Sequence, residues 1–250
     1  MNSFLSWVGG KNYLKKEIVS RFPEKYEKYI EVFGGAAWVL FYKEKSEYEV
    51  YNDLNSDLVN LFKCVKFHFP ELKRELSGGL NSRQLFNEMR ESCNFTGLTD
   101  IQRAARFFML IKTSYGSKGE NFGCVKKNIN IMVDYLDRVQ ERLCNVVIEN
   151  MSFEKIIERY DKKDVLFYLD PPYYGTEKYY QIQFSEENHI RLAEMLKNVE
   201  GKFILSYNDC EYVRELYSQF NIEVVERFNN LSARYTVKER KYKELIIKNY

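Results

Sequence analysis

Residues 164–174, Asp-Val-Leu-Phe-Tyr-Leu-Asp-Pro-Pro-Tyr-Tyr, constrain this chain more than any other stretch. Val165 to Leu169 is an unbroken apolar run, too short for a helix and rich in residues that favour strands. Such a run predicts a strand buried on both faces, as in the middle of a parallel sheet. It stops at Asp170-Pro171-Pro172. Pro172 drives Pro171 out of the helical region, and neither proline has an N–H to continue a ladder. The chain must therefore leave the strand in a rigid, extended turn, at the carboxyl end where open α/β sheets place their ligands. Asp170, Pro171, Pro172 and Tyr173 put a carboxylate, a fixed carbonyl and an aromatic face on that turn.

Those groups suit a flat nucleobase with an exocyclic amine. The Tyr173 ring can stack on the base, while Asp170 and the Pro171 carbonyl accept its two amino hydrogens. An adenine N6 lone pair is delocalised into the ring, so acceptors aimed at its N–H groups favour a pyramidal nitrogen and the positive charge that grows as it attacks. Taken alone, the tetrapeptide is also compatible with an ordinary strand-to-loop turn, and the remaining motifs have to decide.

Two glycine turns and one acid point to a ligand site in the first quarter of the chain. Trp7-Val8-Gly9-Gly10-Lys11 offers an aromatic and an ammonium on either side of a loop that can approach a ligand closely. Tyr29 to Val32 predicts a strand, Phe33-Gly34-Gly35 a turn, and Ala36 to Leu40 the opening of a helix. A short Gly-Gly without the GxGxxG of phosphate binders favours a nucleoside or amino-acid ligand over a polyphosphate. The strand Tyr48 to Asn52 ends in Asp53, 19 residues after Gly34. At that spacing a doubly wound sheet offers a carboxylate to ribose hydroxyls.

Helical spacing marks 57–69, 71–76, 82–91, 100–112 and 130–143, with strands at 145–149, 202–207, 223–228 and 244–249 and helices at 185–198 and 211–220. Ser185 is an expected N-cap, and His189 an expected surface residue near it. Strands alternating with helices on both sides of a helical middle imply an α/β sheet with an inserted subdomain. The limits are 1–62 and 141–250 for the sheet and 63–140 for the insert. The insert holds 13 Lys/Arg against 8 Asp/Glu, net +5, which leaves −3 for the rest of a chain of net charge +2. This asymmetry hints at a polyanion, although a solvated helical surface carries the same signature. The glycine-rich loop Thr113 to Gly123 could reach a DNA groove through Ser114, Tyr115, Lys118 and Asn121, with Lys126 and Lys127 following. Arg234, Lys238 and Arg240 lie in a basic, aromatic-bearing segment that could touch phosphates.

Five scattered cysteines and only two histidines argue against a disulfide framework and against a metal site. No stretch approaches the ~20 apolar residues of a membrane span, and Met1 to Lys11 lacks a signal-peptide core. A cytosolic protein working without membrane or metal is expected.

Taken together, Trp7-Val8-Gly9-Gly10-Lys11, Val32-Phe33-Gly34-Gly35, Asn52-Asp53 and Asp170-Pro171-Pro172-Tyr173, in that order, resemble the Dam-type adenine-N6 DNA methyltransferases. The likeness runs nearly end to end and includes 184–189, 201–209 and 244–250. It implies a Rossmann-like methyltransferase sheet with a mostly helical target-recognition insert, S-adenosylmethionine as cofactor and double-stranded DNA as partner, the protein acting as a monomer or weak dimer. It implies further that Trp7, Lys11, Asp53 and Asp170 contact the cofactor, with Asp53 on the ribose and Phe33, Gly34 and Gly35 shaping the methionine side. Ser152 and Phe153 would lie near the cofactor's adenine. Asp170, Pro171 and Tyr173 would receive a target adenine flipped from the stack. Members specific for GATC carry a longer hairpin where this chain has Thr113 to Gly123, so no recognition sequence is assigned. The same fold could instead serve an RNA adenine or a protein amide, or bind DNA without catalysis. The intact Asp53, Asp170 and Tyr173 speak for catalysis.

Overall fold

The computed structural model describes residues 1–92, 97–124, 128–176, 184–228 and 241–250. The candidate DNA contacts Lys126, Lys127, Arg234, Lys238 and Arg240 lie outside these residues.

The Val165–Leu169 run forms strand β4, and all five of its side chains are buried. Alternate residues serve two different cores, as a period of two requires. Leu166 and Tyr168 join one apolar cluster with Tyr29 and Tyr51. Val165, Phe167 and Leu169 join the other with Ile30, Val32 and Val50. Burying each such side chain contributes about 1.5–3 kcal/mol, which gives the strand no freedom to slip by one residue. Beside β4 stand β1 (Lys28–Glu31), β2 (Tyr48–Asn52) and β3 (Val146–Glu149) on one side. On the other side stand β5 (Lys202–Asn208), β6 (Asn221–Phe228) and β7 (Lys241–Lys248). The seven-stranded order is β3-β2-β1-β4-β5-β7-β6. Strands β1 to β5 run parallel, and β7 enters antiparallel between β5 and β6.

Successive strands β1, β2 and β3 step away from β4 in one direction, and β5 steps away in the other. The topological switch point therefore lies between β1 and β4. Their carboxyl ends lead into Phe33-Gly34-Gly35 and into Asp170-Pro171-Pro172-Tyr173. In such a sheet this is the crevice that receives the ligand.

One face of the sheet is covered by α1 (Lys15–Val19), α2 (Trp38–Tyr42), α3 (Ser56–Phe67), α4 (Phe69–Leu76), α6 (Asp100–Thr113) and α7 (Ile129–Leu143). Helix α5 (Arg83–Glu91) buries only Phe86 and packs outside this layer. Local signals set several starts: Asn55 caps α3, a Thr99–Gln102 capping box opens α6, and Asn128 caps α7. The limits 62/63 and 140/141 of the expected insert fall inside α3 and α7. Phe69, Leu72, Phe108, Val133 and Leu136 of that stretch share one core with Tyr29 and Tyr51 of the sheet.

The other face carries α8 (Phe153–Tyr160), α9 (Glu186–Asn198) and α10 (Glu211–Leu216). Helix α8 was not anticipated, although Phe153, Ile156 and Ile157 are its buried residues at helical spacing. Helix α10 ends at Leu216 rather than 220, where Tyr217 leaves the helical conformation with φ −110° and ψ 17°. Ser185 makes no side-chain cap to α9. His189, expected on the surface, is fully buried and hydrogen-bonded through Nδ1 to the Tyr207 hydroxyl. An amphipathic helix start does not say which side chain the sheet will cover. No helix of the described residues is long and apolar enough to cross a membrane.

Candidate active site

The Gly34-Gly35 turn is forced by its neighbours. The Gly34 N–H donates to the Asn52 carbonyl at 2.7 Å, and a Cβ on Gly34 would stand 2.2 Å from Cε2 of Tyr51. Gly35 has φ +50°, a left-handed conformation that suits a residue without Cβ. Its N–H donates to Asp53 Oδ2 at 2.8 Å, and the Tyr51 hydroxyl donates to its carbonyl at 2.8 Å. Asp53 Oδ1 accepts a further N–H from Asn55 at 2.7 Å. Burial pushes the Asp53 carboxyl above its ordinary range, opposed by these backbone donors. Asn52 ties three strand ends together. Its Nδ2 donates to the carbonyls of Val32 and Met151, and its Oδ1 accepts from the Met151 N–H.

Across the switch point buried Lys11 and half-buried Asp170 form an ion pair, 2.6 and 2.7 Å from Nζ to the two carboxylate oxygens. Lys11 Nζ also donates to the Gly9 carbonyl at 2.8 Å and stands 4.6 Å from the Tyr173 ring centroid. Ser206 of β5 donates to Asp170 Oδ1 at 3.0 Å. Burial raises the Asp170 carboxyl, while the Lys11 ammonium draws it down. Pro171 is buried, and Pro172 and Tyr173 are half-buried. The Tyr173 ring lies nearly parallel to Tyr207, 24° between planes with centroids 5.7 Å apart, and its hydroxyl donates to Glu244 Oε2. Burial holds that phenol well above its usual pKa, so it stays a donor.

A cavity of about 310 Å³ opens beside the Gly34-Gly35 turn and the Lys11–Asp170 pair, and Pro171 and Tyr173 stand outside its lining. Trp7, Lys11, Phe33, Gly34, Gly35, Asp53, Ser152, Phe153, Asp170 and Pro172 line it, which brings the expected cofactor residues onto one surface. Phe33, Phe153 and Phe184 meet at centroid distances of 5.7–5.9 Å and form an aromatic wall. Among the lining residues that sequence reasoning missed is Glu31. Its Oε2 accepts from the Tyr29 hydroxyl at 2.7 Å and from the Leu40 N–H at 2.9 Å. Burial pushes its carboxyl up to about 8. Ser206, Tyr207 and Glu244 were missed too. The available signal was polar or charged residues inside strands that are otherwise apolar.

The candidate DNA contacts on the Thr113–Gly123 loop divide. Tyr115 is 73% exposed and Asn121 is exposed. Lys118 is half-buried on the cavity wall, beside Ser117. Ser114 is buried, with its hydroxyl donating to the Ile111 carbonyl and accepting from the Gly119 N–H, so it braces the loop from inside. Among the described residues no three His, Cys, Asp or Glu side chains gather in a way that could hold a metal ion.

A mostly parallel sheet with a cavity at its switch point, an acid at the end of β2 and Asp-Pro-Pro-Tyr after β4 defines a Rossmann-like methyltransferase. Residues 7–231 match the sequence model of the D12 class N6 adenine-specific DNA methyltransferases, and the chain belongs to that family. It is similar to the Type II methyltransferase M1.LlaDCHI of Lactococcus lactis subsp. cremoris, 28% identical with 100% of this chain and 96% of the relative covered. Similarity extends to the Type II methyltransferase M.MjaIII of Methanocaldococcus jannaschii, 29% identical over 99% and 98% of the two chains. The DNA adenine methylase of Escherichia coli is 28% identical over 92% of this chain and 89% of its own length.

Proposed function

We propose that the methyl donor is S-adenosylmethionine and that the acceptor is N6 of an adenine flipped out of double-stranded DNA into the space around Asp170, Pro171 and Tyr173. The observation that carries this reading is the placement of two half-buried acids, Asp53 and Asp170, in the lining of one cavity, with Lys11 clamping the second. The residues fit the cofactor by their chemistry. Asp53 supplies acceptors suited to ribose hydroxyls, the Gly34-Gly35 turn leaves bare backbone where a side chain would collide, and Phe33 and Phe153 offer apolar faces to a purine. When bound, S-adenosylmethionine supplies an electrophilic methyl group.

The rest is the work of this chain. Asp170 and the Pro171 carbonyl accept the N6 hydrogens and favour the positive charge that develops there. Tyr173 stacks on the base, and Pro171 and Pro172 keep the acceptors from relaxing away. Orientation within the cavity supplies much of the remaining rate. Residues 63–140, with their net +5, serve target recognition, and the loop 113–123 is their edge nearest the cavity.

Incubating the protein with unmethylated genomic DNA and S-adenosylmethionine tests this directly. Nucleoside mass spectrometry should detect N6-methyladenine, and methylation-aware sequencing should place it in one sequence context. Asp170→Ala should lower kcat by about 10²-fold or more while DNA binding persists. Wild-type turnover in that variant would refute the role of Asp170.

A further inference from the structure

Glu244 is an odd residue for its place. It lies in β7, opposite Asn208 of β5, and is followed by the buried Leu245, Ile246 and Ile247. A carboxylate at 5% exposure in the middle of a sheet loses most of its hydration. A leucine would satisfy the strand equally well. In the structure this acid accepts the hydroxyl of Tyr173, 71 residues earlier in the chain.

We infer that Glu244 is a positioning residue for methyl transfer, holding the Tyr173 ring in the plane where it meets the target adenine. This rests on the reading of Tyr173 as the stacking face. Tyr173 sits in the loop after β4, not in a strand; the Thr176 N–H and hydroxyl donate to its carbonyl, and Asn208 Nδ2 donates to the carbonyl of Tyr174 at 3.1 Å. Its backbone alone leaves the ring free to change rotamer. Three contacts remove that freedom: Tyr207 packed nearly parallel, Lys11 over the ring, and Glu244 at the hydroxyl. The first two slide along the ring face, and among the described residues the third anchors its far end. Tyr207 is itself held by buried His189, so the support reaches back into α9. Donation from a phenol to a carboxylate also enriches the ring in electron density. That strengthens its attraction to a cationic centre forming above it.

A double-variant cycle tests the inference. Glu244→Leu removes the acceptor and keeps an apolar strand residue, Glu244→Gln restores a neutral acceptor, and Tyr173→Phe removes the donor. Glu244→Leu should lower kcat on the order of tenfold, with KM for S-adenosylmethionine within twofold of wild type. Glu244→Gln should recover most of that loss. Combining Glu244→Leu with Tyr173→Phe should cost no more than Tyr173→Phe alone. A duplex carrying the methylated context, with 2-aminopurine at the target position, supplies a readout independent of turnover. Tyr173→Phe and Glu244→Leu should shift its fluorescence alike. Losses that multiply in the double variant, or wild-type kcat in Glu244→Leu, would overturn the inference. If Glu244→Leu does not fold, Tyr173→Phe alone decides, because it removes the same hydrogen bond from its other end: kcat should fall on the order of tenfold, and wild-type kcat in it would overturn the inference. Wild-type protein that methylates no adenine would overturn the reading of the site, and with it this role for Glu244.

Discussion

Glu31 is the residue whose chemistry departs furthest from what its neighbours in sequence suggest. It ends β1 between Ile30 and Val32, yet the alternation of the strand turns it to the same side as Tyr29, against the cavity. Its carboxyl is raised from 4.5 to about 8, chiefly by burial. An acid raised on folding binds its proton more tightly in the folded chain. Its contribution to stability is therefore full below about pH 4.5 and is lost as pH rises through about 8. Asp53 and Asp170, raised by burial from 3.8, act in the same sense. In cofactor-free protein the Tm should fall between pH 5 and pH 8.5. Glu31→Gln keeps an acceptor for Tyr29 and Leu40 and should flatten that slope, by roughly 3–5 kcal/mol across the window. An unaltered slope in the variant would mean that Glu31 is ionised throughout. The acids that sequence motifs pick out, Asp53 and Asp170, each follow directly on the last residue of a strand: Asp53 stands 19 residues after Gly34, and Asp170 stands ahead of two prolines. Glu31 is the last residue of its strand, where period-two reasoning cannot say which face lines a cavity.

At the scale of elements, one buried charge cluster joins three parts of the sheet layer that sequence reasoning leaves independent. Glu49 of β2 accepts from Arg142 of α7 at 2.5 and 2.8 Å and from Lys43, just after α2, at 2.6 Å. Arg142 also donates to the Leu40 carbonyl of α2 at 2.8 Å. Burial would raise Glu49, yet the two cations outweigh it and hold the carboxyl below its ordinary range. Removing Arg142 strands a buried carboxylate. Arg142→Ala should cost about 3–5 kcal/mol in chemical denaturation, with S-adenosylmethionine affinity in the remaining folded protein nearly unchanged. A loss under 1 kcal/mol would show that water or Lys43 alone satisfies Glu49. Element positions were mostly legible because their signals are local: the apolar run of β4 and the helical spacing of 57–69 and 100–112. Helix α8 escaped because eight residues carry barely two turns of periodicity. The antiparallel entry of β7 escaped because pairing between strands distant in sequence leaves no local mark.

At the scale of the whole molecule, the insert and the sheet are less separate than a charge count suggests. Helices α3 and α7 cross the expected limits and build the core under β1 and β2, while the loop after α6 reaches the cavity. That loop has two sides, with Tyr115 facing solvent and Ser117 and Lys118 on the cavity wall. Tyr115→Ala should therefore raise KM for DNA several-fold while leaving S-adenosylmethionine affinity unchanged in calorimetry. An equal loss of both would place Tyr115 in the cofactor site instead. By itself the sequence determined the α/β class, the two acids at strand ends, the glycine turn and the Asp-Pro-Pro-Tyr turn. Each depends on backbone rules that act within a few residues. Tertiary structure alone decided that Lys11 would clamp Asp170, that Glu244 would hold Tyr173, and that His189 would lie inside. Those pairings join residues 159, 71 and 18 positions apart, and only the packing of the sheet brings them within reach of a hydrogen bond.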